Sequence, residues 1–167
     1  FRPHILYCSL TSGRKVGITR EKNIPSRWID QGATEAMPLA RLADRRTVGL
    51  LEKRLVDEGF KDKTHWTRML KGNNDEADLA EFAARVLDRL AAWKIEGVLP
   101  EDEQAPVRIG YPVAVWPGKV KSFNLDKEPE AGGVLHGIKG QYLIFDAGVI
   151  NLRKFTGYRV EVVVAPD

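Results

Sequence analysis

Apolar and polar positions change rhythm several times along the chain. A short apolar run, His4–Leu10, is followed by the turn Thr11-Ser12-Gly13 and a second run, Lys15–Arg20. Two such runs about a tight polar turn predict a hairpin. Ile24–Gln31 then reads as a short helix, with Asn23 as a candidate cap and Pro25 at the first helical position. Lys71-Gly72-Asn73-Asn74 predicts a turn, and Asp75 caps the next helix with Asp78 three residues on. That helix is the clearest element: Leu79, Phe82, Ala83, Val86, Leu87, Leu90 and Trp93 recur at three- and four-residue steps. Its other face carries Glu76, Glu81, Arg85, Asp88 and Arg89, and Gly97 and Pro100 end it. Glu101-Asp102-Glu103 with Pro106 reads as a linker.

From Arg108 onward the pattern turns to β. Expected strands are Ile109–Trp116, Lys119–Leu125, a long Val134–Phe145 interrupted by Gly137 and Gly140, Val149-Ile150, and Tyr158–Val164. Five short strands with no helix between them predict a small barrel or a curled sheet. The chain therefore reads as α+β in three parts: 1–72, a small α/β module; 73–104, the amphipathic helix and acidic linker; and 105–167, a small all-β domain.

Charge adds an asymmetry that the pattern alone does not show. The net charge of the 167 residues is only +3, yet residues 1–72 hold 15 Lys/Arg against 8 Asp/Glu, and residues 73–104 hold 3 against 9. A basic first third suits a polyanion-binding surface, and equally the solvated face of a slightly basic domain. Hydrophobic residues make up 43% and charged residues 29%, as in a soluble protein with a buried core. No run reaches the roughly 18 apolar residues of a membrane span, and no secretory signal is visible. One cysteine, Cys8, excludes an internal disulfide and fits a reducing cytoplasm. His4, His65 and His136 are scattered and without a Cys partner nearby, so zinc is not expected in these residues.

Candidate chemistry concentrates in the first hairpin and helix. Tyr7 on the first strand, Lys15 and Gly17-Ile18-Thr19 on the second, and Arg27 on the helix can converge on one small surface. A phenol, an ammonium and a guanidinium together suit a phosphate. This arrangement resembles the core of the GIY-YIG nuclease superfamily. Tyr7 matches the Tyr of its first half-motif, Val16-Gly17-Ile18-Thr19 the tail of the second, and Arg27 its helix arginine. Lys15 stands where the motif usually has a second Tyr, as in a branch that writes Lys-Ile-Gly there.

The resemblance implies a three-stranded sheet with Leu39–Ala43 as the third strand. It implies next a helix through Val48–Val56, stopped at Gly59, that presents Glu52 as a metal ligand, with Mg²⁺ as the expected ion. Tyr7 would then orient or deprotonate a water and Arg27 would steady charge on the phosphoryl group. Gln31, four residues after Arg27, falls on the same helix face. The superfamily's late Asn has no counterpart; Asp62-Lys63-Thr64-His65-Trp66 lies near its place. Plainer readings stand beside these: Glu52 as a solvated helix carboxylate pairing with Lys53 or Arg54, and Tyr7 as a core tyrosine.

A closer resemblance spans nearly the whole chain. The strings KVGITR, IPSRWIDQGA, DKTHW and GIKGQYLIFDAGVINLRKFTGY are similar to the prokaryotic family called domain of unknown function 2797. Members usually begin with a Cys-rich, zinc-binding type of segment, so a chain beginning at Phe1 is expected to be a fragment. The last of these strings holds a second candidate cluster. Gly137 and Gly140 bracket Lys139, Tyr142 can stack on a base, and Arg153 and Lys154 add charge. The competing reading is a bent strand whose glycines serve packing.

The expectation is a nucleic-acid-binding protein, with Lys15, Arg20, Arg27, Gln31, Lys139, Tyr142, Arg153 and Lys154 on the nucleic acid, and Tyr7, Arg27 and Glu52 catalytic if it is a metal-dependent endonuclease. The alternatives are a non-catalytic binder of structured RNA or of a ribonucleoprotein such as the ribosome, and a protein scaffold docking through the helix from Asp75.

Overall fold

The computed structural model describes residues 2–72 and 78–165. It is α+β, with two antiparallel sheets. The first contains β1 (His4–Leu10), β2 (Arg14–Arg20), β3 (Glu35–Leu42) and a two-residue β4 (Val107–Arg108), in the order β2-β1-β3-β4. The expected third strand is present and longer than Leu39–Ala43. β4 adds a fourth, so the last third of the chain contributes to the first sheet.

β1 is buried along nearly its whole length because both faces of the sheet are covered. Its register with β2 pairs Leu6 with Ile18 and Cys8 with Val16 on one face, and Ile5 with Thr19 and Tyr7 with Gly17 on the other. The first face meets Val48, Leu51 and Leu55 of α2 (Arg45–Asp57), and Leu79, Phe82, Ala83, Val86 and Leu90 of α4 (Leu79–Ala92). The second meets Trp28 of α1 (Ser26–Asp30), with Ala33 and Ala36. The β1–β3 register shifts between Leu6 and Tyr7, next to Pro38, which has no N–H to give the ladder.

Several termini differ from expectation. Pro25 caps α1, and Asn23 lies instead in the 3-10 turn Glu21–Asn23. Asp44 caps α2 by accepting from the Thr47 N–H, and Gly59 follows its end at φ +93°. The expected cap Asp75, with Asn73, Asn74 and Glu76, lies outside the described residues. Asp78 caps α4 directly, accepting from the Ala80 and Glu81 N–H groups. The acidic stretch Glu101–Glu103 is a 3-10 turn, and a short α3 (Trp66–Leu70) stands where no helix was expected.

The C-terminal part forms a three-stranded antiparallel sheet, β5 (Leu135–Lys139), β6 (Tyr142–Phe145) and β7 (Val149–Asn151), where a small barrel or a curled sheet of five strands was expected. The single long strand expected over Val134–Phe145 is a hairpin, because Gly140 takes φ +59° and turns the chain back. The stretches read as strands at Ile109–Trp116 and Lys119–Leu125 make single bridges, Val113 to Gly137 and Ser122 to Val149. These bridges cover the outer edges of β5 and β7. Tyr158–Val164 therefore finds neither edge free, and Val162, Val163 and Val164 stay more than 80% exposed.

The two sheets meet around α1 and α3. The Tyr111 hydroxyl donates to the Ala33 carbonyl at 2.8 Å. Met69 and Leu70 of α3 pack on Ile144 and Val149. Among the described residues no helix is long and apolar enough to cross a membrane.

Candidate functional site

Register and one glycine build the site. Ser9 pairs with Lys15 and Tyr7 with Gly17, so Tyr7, Ser9 and Lys15 share the sheet face that α1 covers. A Cβ at Gly17 would come within 2.6 Å of Tyr7 Cζ and Oη, so the absent side chain is what lets the ring lie across β2. The Tyr7 hydroxyl donates to Gln31 Oε1 at 2.7 Å. The ring meets Trp28 edge-on, with centroids 5.9 Å apart. Trp28 faces the sheet, while Arg27 and Gln31, one turn apart, take the side that holds Tyr7.

The outer edge of β2 is sealed by the segment between α2 and α3. Val16 N–H donates to the Lys61 carbonyl at 2.7 Å, and His65 N–H to Ser12 Oγ at 2.7 Å. Lys15 Nζ donates to Thr64 Oγ1 at 3.4 Å, and Thr64 Oγ1 lies 3.2 Å from Thr11 Oγ1. These bonds fix Asp62, which reaches the same cluster. Ser9 Oγ, on the same face, is buried without a hydrogen-bond partner.

Electrostatics tie five charged or ionisable groups into one cluster. Burial pushes the Tyr7 phenol up to about 12; the Arg27 guanidinium opposes this and the Glu52 carboxylate adds to it. Burial pulls the Lys15 ammonium down to about 8, aided by Arg27 and opposed by Glu52 and Asp62. Burial raises the half-buried Glu52 carboxyl, as does Asp62, while Lys15, Arg45 and Arg27 lower it. The charges of Arg27 and Asp62 thus act, with burial, on the Lys15 ammonium and the Glu52 carboxyl, and Arg27 also on the Tyr7 phenol, a pattern common at functional sites.

Mg²⁺ takes one or two carboxylates with the rest of its shell from water and phosphate, and the two carboxylates of this cluster are Glu52 and Asp62. Among the described residues there is no group of three or more His, Cys, Asp or Glu able to hold a metal.

Tyr7, Lys15, Arg27, Gln31 and Glu52 are therefore brought together, and the other candidates fall elsewhere. Arg20 is exposed at the far end of β2, paired with His4 on the opposite face. Lys139 requires correction: it is fully buried rather than on the surface. Its Nζ donates to the Met69 carbonyl at 3.1 Å and lies over Trp116 and Tyr111 at 5.0 and 5.4 Å from the ring centroids. The hairpin turn causes this, since it sends Lys139 and its partner Tyr142 to the inner face of their sheet. Tyr142 accordingly stacks parallel on Trp66, centroids 5.8 Å apart, instead of offering an open ring. Arg153 is exposed and pairs with Asp30 of α1 at 3.6 Å, so it borders the helix that carries Arg27. Lys154 is exposed, 5.5 Å from the Phe155 ring centroid.

Asp62, Thr64 and Asp30 were not among the expected site residues. Asp62 and Thr64 lie in the string DKTHW, the only sequence signal that pointed there.

These features define an α+β protein with a mixed cationic and acidic side-chain cluster beside the edge strand of its first sheet, in which Tyr7 and Lys15 are buried. The chain belongs to the family described as protein of unknown function (DUF2797), whose model matches residues 1–160. No curated protein matches it, and no solved structure does.

Proposed function

We propose that the protein binds nucleic acid by placing a backbone phosphate against Lys15 and Arg27, in a cleft of GIY-YIG type. What supports this reading is the electrostatic coupling of Tyr7, Lys15, Arg27 and Glu52, drawn from four separate elements, β1, β2, α1 and α2. Arg27 supplies a planar fork of donors for phosphate oxygens, and Lys15 a point charge held by Thr64. Gln31 fixes the Tyr7 hydroxyl at the floor of the cleft.

If the cleft also cleaves, Glu52 with Asp62 would hold Mg²⁺, which when bound neutralises phosphate charge and lowers the pKa of a water. Arg27 would balance the charge that grows on the phosphoryl oxygens. Tyr7, with its phenol near 12, keeps its proton at neutral pH and holds its place by donating to Gln31. One observation favours binding without cleavage, to structured RNA or a ribonucleoprotein: the Tyr7 side chain is fully buried, away from an attacking water.

Fluorescence anisotropy with labelled single- and double-stranded RNA and DNA tests the proposal. Affinity should fall steeply with salt, as counterion release requires. Absence of affinity for every substrate at low salt would overturn it.

A further inference from the structure

Beside the phosphate cleft lies a second, open cleft of about 260 Å³. One wall is apolar: Ile138 and Leu143, opposite each other in the β5–β6 register, and Leu152 of the 3-10 turn after β7. Ile138 is 43% and Leu152 53% exposed, so this wall is open to solvent. The rim is polar: Asp30 of α1, Gln141 at the hairpin turn, and Arg153. Asp30 and Arg153 stand 3.6 Å apart, an acceptor-only group next to a donor-only group.

The floor is formed by Gly140. A Cβ there would meet the Asp30 carbonyl at 3.0 Å and the Gly32 nitrogen at 3.2 Å, so the hairpin approaches α1 as closely as backbone allows. This close approach sets the cleft against the same short helix that carries Arg27.

We propose that this cleft receives a nucleobase of the strand whose phosphate is bound at Arg27, and that Asp30 and Arg153 make guanine its preferred occupant. The inference rests on the nucleic-acid reading above. Arg27 and Asp30 are three residues apart on one helix, a separation of roughly 5 Å along the axis, which is the reach between a phosphate and its own base. An aliphatic wall takes the flat face of a base, as apolar side chains do for splayed single-stranded bases. The edge is read by the charged pair. Guanine offers two adjacent N–H donors, at N1 and N2, that a carboxylate accepts together, and its O6 next to them accepts from a guanidinium. Adenine has one donor on that edge, and uracil places its single donor between two acceptors, so neither matches the pair as well.

The test uses the full chain and labelled hexanucleotides of uridine with a central G, A, C or U, with the deoxy series as a parallel arm. The wild type should bind the central-G strand about tenfold more tightly than the central-A strand in at least one arm, the usual worth of one good two-point base contact. Asp30→Asn should remove that preference with affinity for the all-U strand equal or tighter, since one negative charge beside the phosphate is gone, and Leu152→Asp should weaken binding to every strand. Arg27→Ala should weaken all strands and keep the preference. Circular dichroism of each variant checks folding, and Asp30→Asn changes only a surface group. Salt-dependent binding that ignores the central base, or a preference that survives Asp30→Asn, overturns this inference and leaves the phosphate cleft standing. No binding to any strand overturns both.

Discussion

The ring of Tyr7 occupies the space where Gly17 would carry a side chain, 2.6 Å from the position of its Cβ. Tyr7 and Gly17 are register partners, so the sheet itself delivers the phenol to the cleft. Gly17→Ala should force the ring out of place or strain the β1–β2 pair. We expect a loss of about 1–3 kcal/mol in stability, as for overpacking a filled core, together with weaker nucleic-acid binding. Denaturant unfolding measures the first. An alanine variant as stable as wild type would mean that the ring has room to move.

Arg27 and Arg85 offer a paired test of where nucleic acid lies. Arg85 is an exposed arginine on α4, over the Phe60 ring, remote in sequence from the cleft. Arg27→Ala should weaken binding and lower the slope of log affinity against log salt by about one, the signature of one lost phosphate contact. Arg85→Ala should change neither. Equal effects from the two variants would assign binding to diffuse charge instead of the cleft.

Two buried lysines make stability depend on alkaline pH. Burial depresses both Lys15 and Lys139 to about 8 in the folded chain. The unfolded chain keeps its lysine protons until about 10.4. Between those values the unfolded state binds more protons, so stability rises with pH across the window from about 8 to about 10. The raised Cys8 thiol opposes this rise from about pH 9, and above the window the raised phenols of Tyr7 and Tyr111 do the same, since the folded state retains protons that the unfolded state releases. Thermal unfolding should therefore show a maximum near pH 10. In Lys139→Met the rise should be shallower, because one of its two sources is gone. An unchanged slope in that variant would show that Lys139 keeps an ordinary pKa.

How much of this was legible beforehand follows from which interactions are local. The β1–β2 hairpin and the body of α4 could be read because their apolar spacing and turn residues lie within a few positions of one another, whereas α2 was expected from the family resemblance. The chain after Arg108 could not. Val113 and Ser122 sit in apolar runs that look like strands, but each run makes only a single bridge to a sheet built by β5, β6 and β7. Pairing is a choice among distant partners that propensity does not encode. Lys139 illustrates the same limit. Between two glycines it reads as an exposed ligand-binding residue, and its burial depends on Met69, Tyr111 and Trp116, each at least 23 positions away in the chain. Tyr7, Lys15 and Arg27 were singled out together from the hairpin and α1, and Glu52 from the resemblance. Asp62 was not singled out, because its place depends on the backbone bond from Val16 to Lys61.

Glu52 and Asp62 are the residues that would hold a metal if the proposed site cuts. Burial and the neighbouring Asp62 raise the Glu52 carboxyl. A metal ligand must be ionised, so loading Mg²⁺ should weaken as pH falls toward the raised Glu52 value. If wild-type protein cleaves RNA or DNA with Mg²⁺ or Mn²⁺, Glu52→Gln should abolish cleavage and leave binding equal or tighter, since one negative charge facing the phosphate is gone. Asp62→Asn should lower the rate and raise the metal concentration needed for half-maximal rate, which separates a ligand from a merely structural residue. Tyr7→Phe keeps the ring that fills the space above Gly17 and removes the hydroxyl bonded to Gln31. A fall of about 10²–10⁴-fold would mark proton transfer through that hydroxyl, and a fall of a few-fold would mark positioning alone. Cleavage that survives Glu52→Gln would rule out the metal assignment. Absence of cleavage by wild type, with salt-dependent binding intact, would establish the cleft as a phosphate-binding surface that does not cut.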